Sequence, residues 1–333
     1  YILLFDCLNP AYMQVFKHAI EVWYHDPSVT SPLLKFFGEL CRNKSQRINF
    51  GQSSANGILL FREASALICT YGNKISQMPP HTDTSTIYKA RYKGISLALD
   101  IMSYSLIGSY VNFGVFKLYR DPALQNALQM SLNMLLSIPL SEVMAYPKVA
   151  RSYFTFIEVI FRHQLETIVL VPTQTFLHII KSLEEGLLSL DSTVSIFCAS
   201  TIDHLASFQF RVARRDKPEA RALAQHLQNC PNLFSVFLIS LFKKLIFQGV
   251  ESYWSLSRPV LSIILANQQA FIDAKQHLLA TQPPQNHAQM SAEFDKLLVD
   301  IERNLEPTNR DRFTQRVTAM RNALKQFVVR PND

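Results

Sequence analysis

The sequence predicts an all-α, HEAT-like helical-repeat solenoid built of stacked antiparallel helix pairs, on three observations. Only 9 glycines occur in 333 residues, against 16 prolines, and no stretch alternates apolar and polar residues between Asn-Gly or Asp-Gly turns. Strands and hairpins therefore have no support. Apolar residues recur at helical spacing in one segment after another, within a chain that is 48% hydrophobic. The breaks between segments recur as well. Starts near Tyr12, Ser28, Asn56, Thr84, Asp121, Pro147, Thr173, Asp191, Lys217, Pro231, Leu256, Pro284 and Glu306 divide the chain into segments of similar size. Taken in pairs they approach the roughly 40–47-residue period of HEAT and armadillo units.

Each start has a local cause. Asp26-Pro27 and Asp121-Pro122 place a capping oxygen before a proline, whose missing N–H is not needed in the first helical turn. Tyr146-Pro147, Val171-Pro172 and Cys230-Pro231 fit the same position. Asp191 heads the stripe Val194, Phe197, Cys198, Thr201, Ile202 and Leu205. Phe154, Phe156, Ile157, Ile160 and Phe161 form one wide apolar face, and the run from Leu233 to Phe247 forms another. Such faces suit helices packed between neighbouring repeats. Pro32, Pro139 and Pro259 fall inside or beside helical periods, where each is expected to kink or divide its helix.

Near the end, Pro283-Pro284 precedes the stripe Phe294, Leu297, Leu298, Ile301 and Leu305. A final stripe, Phe313, Val317, Met320, Leu324 and Phe327, completes a helical hairpin, with Arg316, Arg321 and Lys325 expected on its other side. Residues 76–86 and 214–219 are polar, proline-containing and expected as exposed loops. No interdomain linker stands out, so residues 1–333 read as one array without an internal boundary; one or two helical bundles are the alternative. Tyr1 stands where a methionine would begin a complete protein, and apolar sequence follows at once, so a segment of a longer polypeptide is expected.

The five cysteines are far apart and odd in number, and they read as buried thiols of a reducing compartment, cytosol or nucleus. No signal peptide is evident. The longest apolar run is interrupted by Lys243-Lys244 and is too short to cross a bilayer. Neither Cys-x-x-Cys nor His-Glu-x-x-His occurs, and the phosphate-cradling and hydrolase-elbow glycine motifs are missing. No metal, cofactor or catalytic residue is therefore predicted. His163, His178 and His204 each sit alone in a helical pattern, as packed or surface residues. The acids Glu184-Glu185 and Asp300 with Glu302 point apart on a helix and make no shared-proton site.

The formal net charge is +7, and two basic groups account for much of it. One comprises Arg211, Arg214, Arg215, Lys217 and Arg221; the other comprises Arg310, Arg312, Arg316, Arg321, Lys325 and Arg330. Acids interleave the second group and stacking aromatics are missing from it, which disfavours nucleic acid and leaves Arg310, Arg312 and Arg316 as candidates for protein contact. Trp23-Tyr24 and Trp254 lie in helical patterns and are expected in the core.

Several runs in fixed order carry a resemblance. They are Phe5-Asp6-Cys7-Leu8-Asn9-Pro10, Ala19-Ile20-Glu21-Val22-Trp23-Tyr24-His25-Asp26-Pro27 and Asn56-Gly57-Ile58-Leu59-Leu60-Phe61-Arg62-Glu63. Gly108-Ser109-Tyr110-Val111-Asn112-Phe113-Gly114, Trp254-Ser255-Leu256-Ser257-Arg258-Pro259 and Asn309-Arg310-Asp311-Arg312-Phe313-Thr314-Gln315 follow. Together they resemble the C-terminal region of the exportin-7 (Ran-binding protein 16/17) family, in the importin-β superfamily. The match departs between residues 76 and 88, between 208 and 229, and after Arg321.

The resemblance implies a nuclear export receptor, not an enzyme, shuttling between nucleus and cytoplasm. Its implied partners are the GTPase Ran in its GTP form, bound mainly by N-terminal repeats absent from this chain, together with protein cargo and FG-repeat proteins of the nuclear pore. Nucleic acid and membrane insertion are not expected. A Ran-independent helical adaptor is the alternative.

Overall fold

A computed structural model describes residues 1–51, 54–79, 83, 85–213, 215–247 and 253–329, and among these there is no strand. The helices gather into two compact units, 1–163 and 164–333.

In the first unit the order is α1 (Ile2–Leu8), α2 (Ala11–Trp23), α3 (Pro27–Cys41) and α4 (Asn56–Gln77). A π-turn at Tyr88–Tyr92 runs into α5 (Lys93–Ile107), followed by α6 (Gly114–Leu118), α7 (Ala123–Leu136), α8 (Leu140–Ala145) and α9 (Pro147–His163). Two layers result: α2, α4 and α7 stack side by side, and so do α3, α5 and α9. Consecutive helices α2 and α3, then α4 and α5, connect the layers as pairs. This is the arrangement of a helical-repeat stack, in which each element contacts its immediate neighbours.

The second unit repeats the plan. It contains α10 (Leu165–Ile168), α11 (Thr173–Leu187), α12 (Ser192–Val212), α13 (Pro218–Asn229), α14 (Leu233–Phe247), α15 (Tyr253–Ala266), α16 (Gln268–Ala280), α17 (Pro284–Lys296) and α18 (Pro307–Leu324). One layer is α12, α15 and α18; the other is α11, α14 and α16, while α17 pairs with α18; of the stripe expected to form the hairpin's first helix only Phe294 lies in α17, and Leu297, Leu298, Ile301 and Leu305 fall in the connector. The all-α helical-repeat class is therefore what the residues build.

The starts follow from the capping chemistry. Asp26 accepts from the Ser28 N–H at 2.8 Å, Asp121 from Ala123 at 2.9 Å and Asp191 from Thr193 at 2.9 Å. Each satisfies one orphan amide of a first turn, worth about 1 kcal/mol. Pro32 and Pro259 behave differently from expectation: α3 and α15 each run through their proline unbroken. Pro139 instead stands at the cap of α8, where it separates that helix from α7. The Thr84 start lies outside the described residues, as do several residues of the 76–86 loop.

Wide apolar faces are buried where expected. Phe154, Phe156, Ile157, Ile160 and Phe161 of α9 are all inaccessible, and each such side chain contributes about 1.5–3 kcal/mol of burial. Lys244, which interrupts the apolar run of α14, donates to the carbonyls of Leu187 at 2.7 Å and Ser189 at 3.3 Å. Its ammonium thus sits at the negative C-terminal end of α11. Burial holds its pKa below the ordinary lysine value.

Three expectations need correction. Trp23 and Trp254 are about half exposed, at 49% and 48%: among the described residues no helix covers the outer face of α2, and the Arg258 guanidinium lies over the Trp254 ring. Arg321, expected on the solvent side of the last helix, is buried. It lies four residues after Val317 and three before Leu324, on the flank of the apolar stripe. Its guanidinium donates to the Leu245 carbonyl at 2.9 Å and lies over the Tyr253 ring at 4.7 Å. Of the cysteines, Cys41 and Cys198 are buried, but Cys7 is exposed on the short α1.

Candidate protein-contact surface

The last helix presents its arginines in two directions, and their partners decide which. Arg310 stands three residues before Phe313 and seven before Val317, so it shares the buried stripe. Arg312 and Arg316 are four apart and share the flank across the stripe from Arg310.

Arg310 is engaged inside the fold. Its Nη1 reaches both carboxylate oxygens of Asp203 on α12, at 3.1 and 3.0 Å, its Nη2 donates to Ser207 at 3.1 Å, and its Nε donates to the Leu305 carbonyl at 3.1 Å. Ser262 of α15 hydrogen-bonds the same carboxylate. The pair is only 12% and 13% exposed. The sequence-predicted contact residue Arg310 is therefore a cross-layer tie between α12, α15 and α18.

Arg312 and Arg316 face outward around Asp300. Arg312 donates to the Asp300 carbonyl at 2.8 Å and Arg316 to its carboxylate at 3.0 Å. Asp300 takes φ of 60° in the connector before α18, and aspartate tolerates this left-handed conformation better than most residues. These three residues, with Gln315 and Ala319, line a shallow open groove. Each guanidinium keeps donors free of Asp300, so the groove offers two forks to a carboxylate-bearing partner. Asn309 fixes the connector by accepting from the Glu302 amide at 3.0 Å and donating to the carbonyls of Glu302 and Asn304, both at 2.8 Å.

A second polar feature, absent from the sequence expectations, lies at the start of α15. The Arg258 guanidinium lies 3.4 Å from the centre of the Trp254 ring. Burial is the first cause that depresses its pKa, and the nearby Arg310 charge is the second; Asp203 and Asp311 oppose both. His226 was also not singled out in the sequence. It is buried against the Phe176 ring at 4.3 Å, with Nδ1 3.1 Å from the Thr173 hydroxyl and Nε2 2.9 Å from the Val169 carbonyl. These contacts tie α11 to α13.

The other basic group is mainly solvated: Arg221 pairs with the exposed Asp216 at 3.5 Å. Arg214 and Arg330 lie outside the described residues. Among the described residues, no group of three or more His, Cys, Asp or Glu side chains is placed to hold a metal ion. No single helix among them is long and apolar enough to cross a membrane.

Compared with known proteins, the chain matches no family model and no solved structure. Curated relatives are clear. The chain is 39% identical over 329 residues to Exportin-7-B of Xenopus laevis, a match covering 96% of this chain and 30% of that protein. Ran-binding protein 17 of Mus musculus is 38% identical over 331 residues, with the same coverages. Ran-binding protein 16 of Drosophila melanogaster is 34% identical over 334 residues, again covering 96% and 30%. The chain thus spans about 30% of the length of these relatives, and the match falls in their C-terminal part. None of the three is named as an enzyme. With similarity over nearly its whole length, and a helical-repeat stack beneath it, the chain is a homologue of the C-terminal part of the proteins named exportin-7 and Ran-binding protein 16/17.

Proposed function

We propose that this chain is the C-terminal part of a Ran-GTP-dependent nuclear export receptor, acting as a protein-binding scaffold and not as an enzyme. The observation that carries the reading is the similarity to proteins named exportin-7, over 96% of the chain. The layered helices support it physically. A stack of helix pairs changes curvature through small rotations at each interface, and so couples distant binding surfaces.

In this reading residues 1–333 are one run of repeats within a longer array, and the receptor moves between nucleus and cytoplasm. Ran-GTP binds mainly through repeats outside this segment, protein cargo binds partly here, and FG-repeat proteins of the pore bind the array as a whole. Coupling is reciprocal: whatever factor Ran-GTP adds to cargo affinity, cargo adds to Ran-GTP affinity. Arg312 and Arg316 are the contact residues of this segment, facing acidic protein surface. Arg310 holds the helix that presents them.

The test is binding of the full-length polypeptide to nuclear protein with Ran locked in its GTP or GDP state. Capture that requires the GTP state supports an export receptor. Capture indifferent to Ran overturns the reading and leaves a Ran-independent adaptor.

A further inference from the structure

The outer side of α2 carries a row of exposed apolar residues at helical spacing: Tyr12, Val15, Val22 and Trp23, joined by Phe36 of α3. Val15 is 59% and Trp23 49% exposed. The opposite side of α2 buries Met13 and Ile20 in the stack with α4. An amphipathic helix at the surface of a fold has one apolar stripe; α2 has two.

The interior helices of the same unit show what a second stripe is for. In the α2, α4, α7 layer, α4 is covered on both sides, and in the other layer α5 is covered by α3 and α9. The stacking is close: a Cβ added at Gly72 of α4 would collide with the side chain of Met130 on α7. Thus α2 has the two-sided composition of an interior repeat helix while one side lies open. Phe16 continues the surface inward, with its ring 5.4 Å from Phe36 and 5.9 Å from Phe37. The outward face of α18, by contrast, carries Arg312, Gln315 and Asn322.

We propose that this face of α2 and α3 is the stacking surface for a further helix pair of the same polypeptide, the pair that immediately precedes the matched segment in the longer family members. The relatives supply the occupant, since the match covers 30% of their length and lies in their C-terminal part. The face continues a stack already built by α2, α4 and α7, so the same geometry extends by one repeat. Charged neighbours on the two helices are of both signs, Lys17 and Glu21 on α2 and Lys35 and Glu39 on α3. A surface for anionic lipid would be one-sidedly basic. The inference rests on homology to these relatives and not on the transport reading, and neither measurement below depends on transport.

Hydrogen exchange is compared for peptides covering residues 11–23 in the 1–333 chain and in the full-length polypeptide. The expected result is protection at least ~10-fold stronger in the full-length protein, because covering a helix raises its local opening free energy. Equal exchange in the two proteins overturns the proposal. A second measurement uses V15E/W23E, which introduces charge without emptying the core. It should leave the unfolding midpoint of the 1–333 chain unchanged and lower that of the full-length protein. No change in the full-length protein overturns the proposal. So does a concentration-dependent dimer of the 1–333 chain that V15E/W23E abolishes while full-length exchange stays unaltered, which assigns the face to a second copy.

Discussion

Arg310 at the start of α18 binds both carboxylate oxygens of Asp203 in α12, 107 residues away, at 3.1 and 3.0 Å. The two helices flank α15, which adds Ser262 to the same carboxylate. A nearly buried pair of this kind holds three neighbouring helices in one register. Removing one partner leaves the other charge desolvated and uncompensated. Arg310→Ala is therefore expected to destabilise the chain by about 3 kcal/mol in urea unfolding. Asp203→Ala should cost a similar amount, and the double variant clearly less than the sum, since the second removal relieves the stranded charge. Additive losses would show that the two side chains act independently.

Arg312→Ala with Arg316→Ala should behave in the opposite way. Both side chains are solvent-facing, and exposed ion pairs of this type contribute about 0–1 kcal/mol. Stability by urea unfolding should hardly move, while binding of the full-length protein to acidic partner protein should weaken and become less sensitive to salt. Unchanged affinity and salt dependence would remove these residues from the contact surface.

Asp100 on α5 gives a pH signature. Its carboxyl is pushed up to about 6 from 3.8, chiefly by burial, with the Ser152 hydrogen bond and the Arg42 charge opposing. Because the folded-state value is raised, the folded state binds more protons between these two values, and stability falls as pH rises through the window. Below about pH 4 the carboxyl is protonated in both states and the penalty vanishes. Asp100→Asn is accordingly expected to stabilise the chain by about 2 kcal/mol at pH 7 and hardly at all at pH 4. Thermal unfolding at the two pH values checks this, and equal effects at both would refute it.

Gly57 opens the first turn of α4, where an added Cβ would run into the backbone carbonyl of Tyr110. Backbone cannot swing aside as a long side chain can. Gly57→Ala should cost about 1–3 kcal/mol by forcing α4 away from the 108–113 connector. Gly38→Ala serves as the control, since its Cβ would meet the Ile101 and Tyr104 side chains at an ordinary 3.9 Å. If both substitutions cost the same, close approach is not the reason for glycine at position 57.

Most helix starts were legible because their causes are local. The Asp26, Asp121 and Asp191 caps need only their own next turn, and all three form. The start of α16 was missed, although Asn267 caps it by accepting from Ala270 at 3.2 Å, because apolar residues run up to it without a break. Burial of the tryptophans could not be read, since it depends on which helix, if any, lies alongside. The arginines were half legible. Counting from Phe313 sets Arg310 and Arg316 on the two flanks of the apolar stripe, but that Asp203 would be waiting for Arg310 is a fact of tertiary packing. His226 was silent for the same reason, as its partners Phe176, Thr173 and Val169 lie fifty or more residues upstream, at the separations of 53 and 57 seen for its two hydrogen bonds.

The most direct test of the transport-receptor reading is Ran-GTP-dependent capture of nuclear protein by the full-length polypeptide, repeated after deletion of residues 1–333. The account predicts that capture collapses while Ran-GTP binding by the remaining repeats survives. Capture at full strength after the deletion would contradict it and reduce this segment to a structural extension of the array.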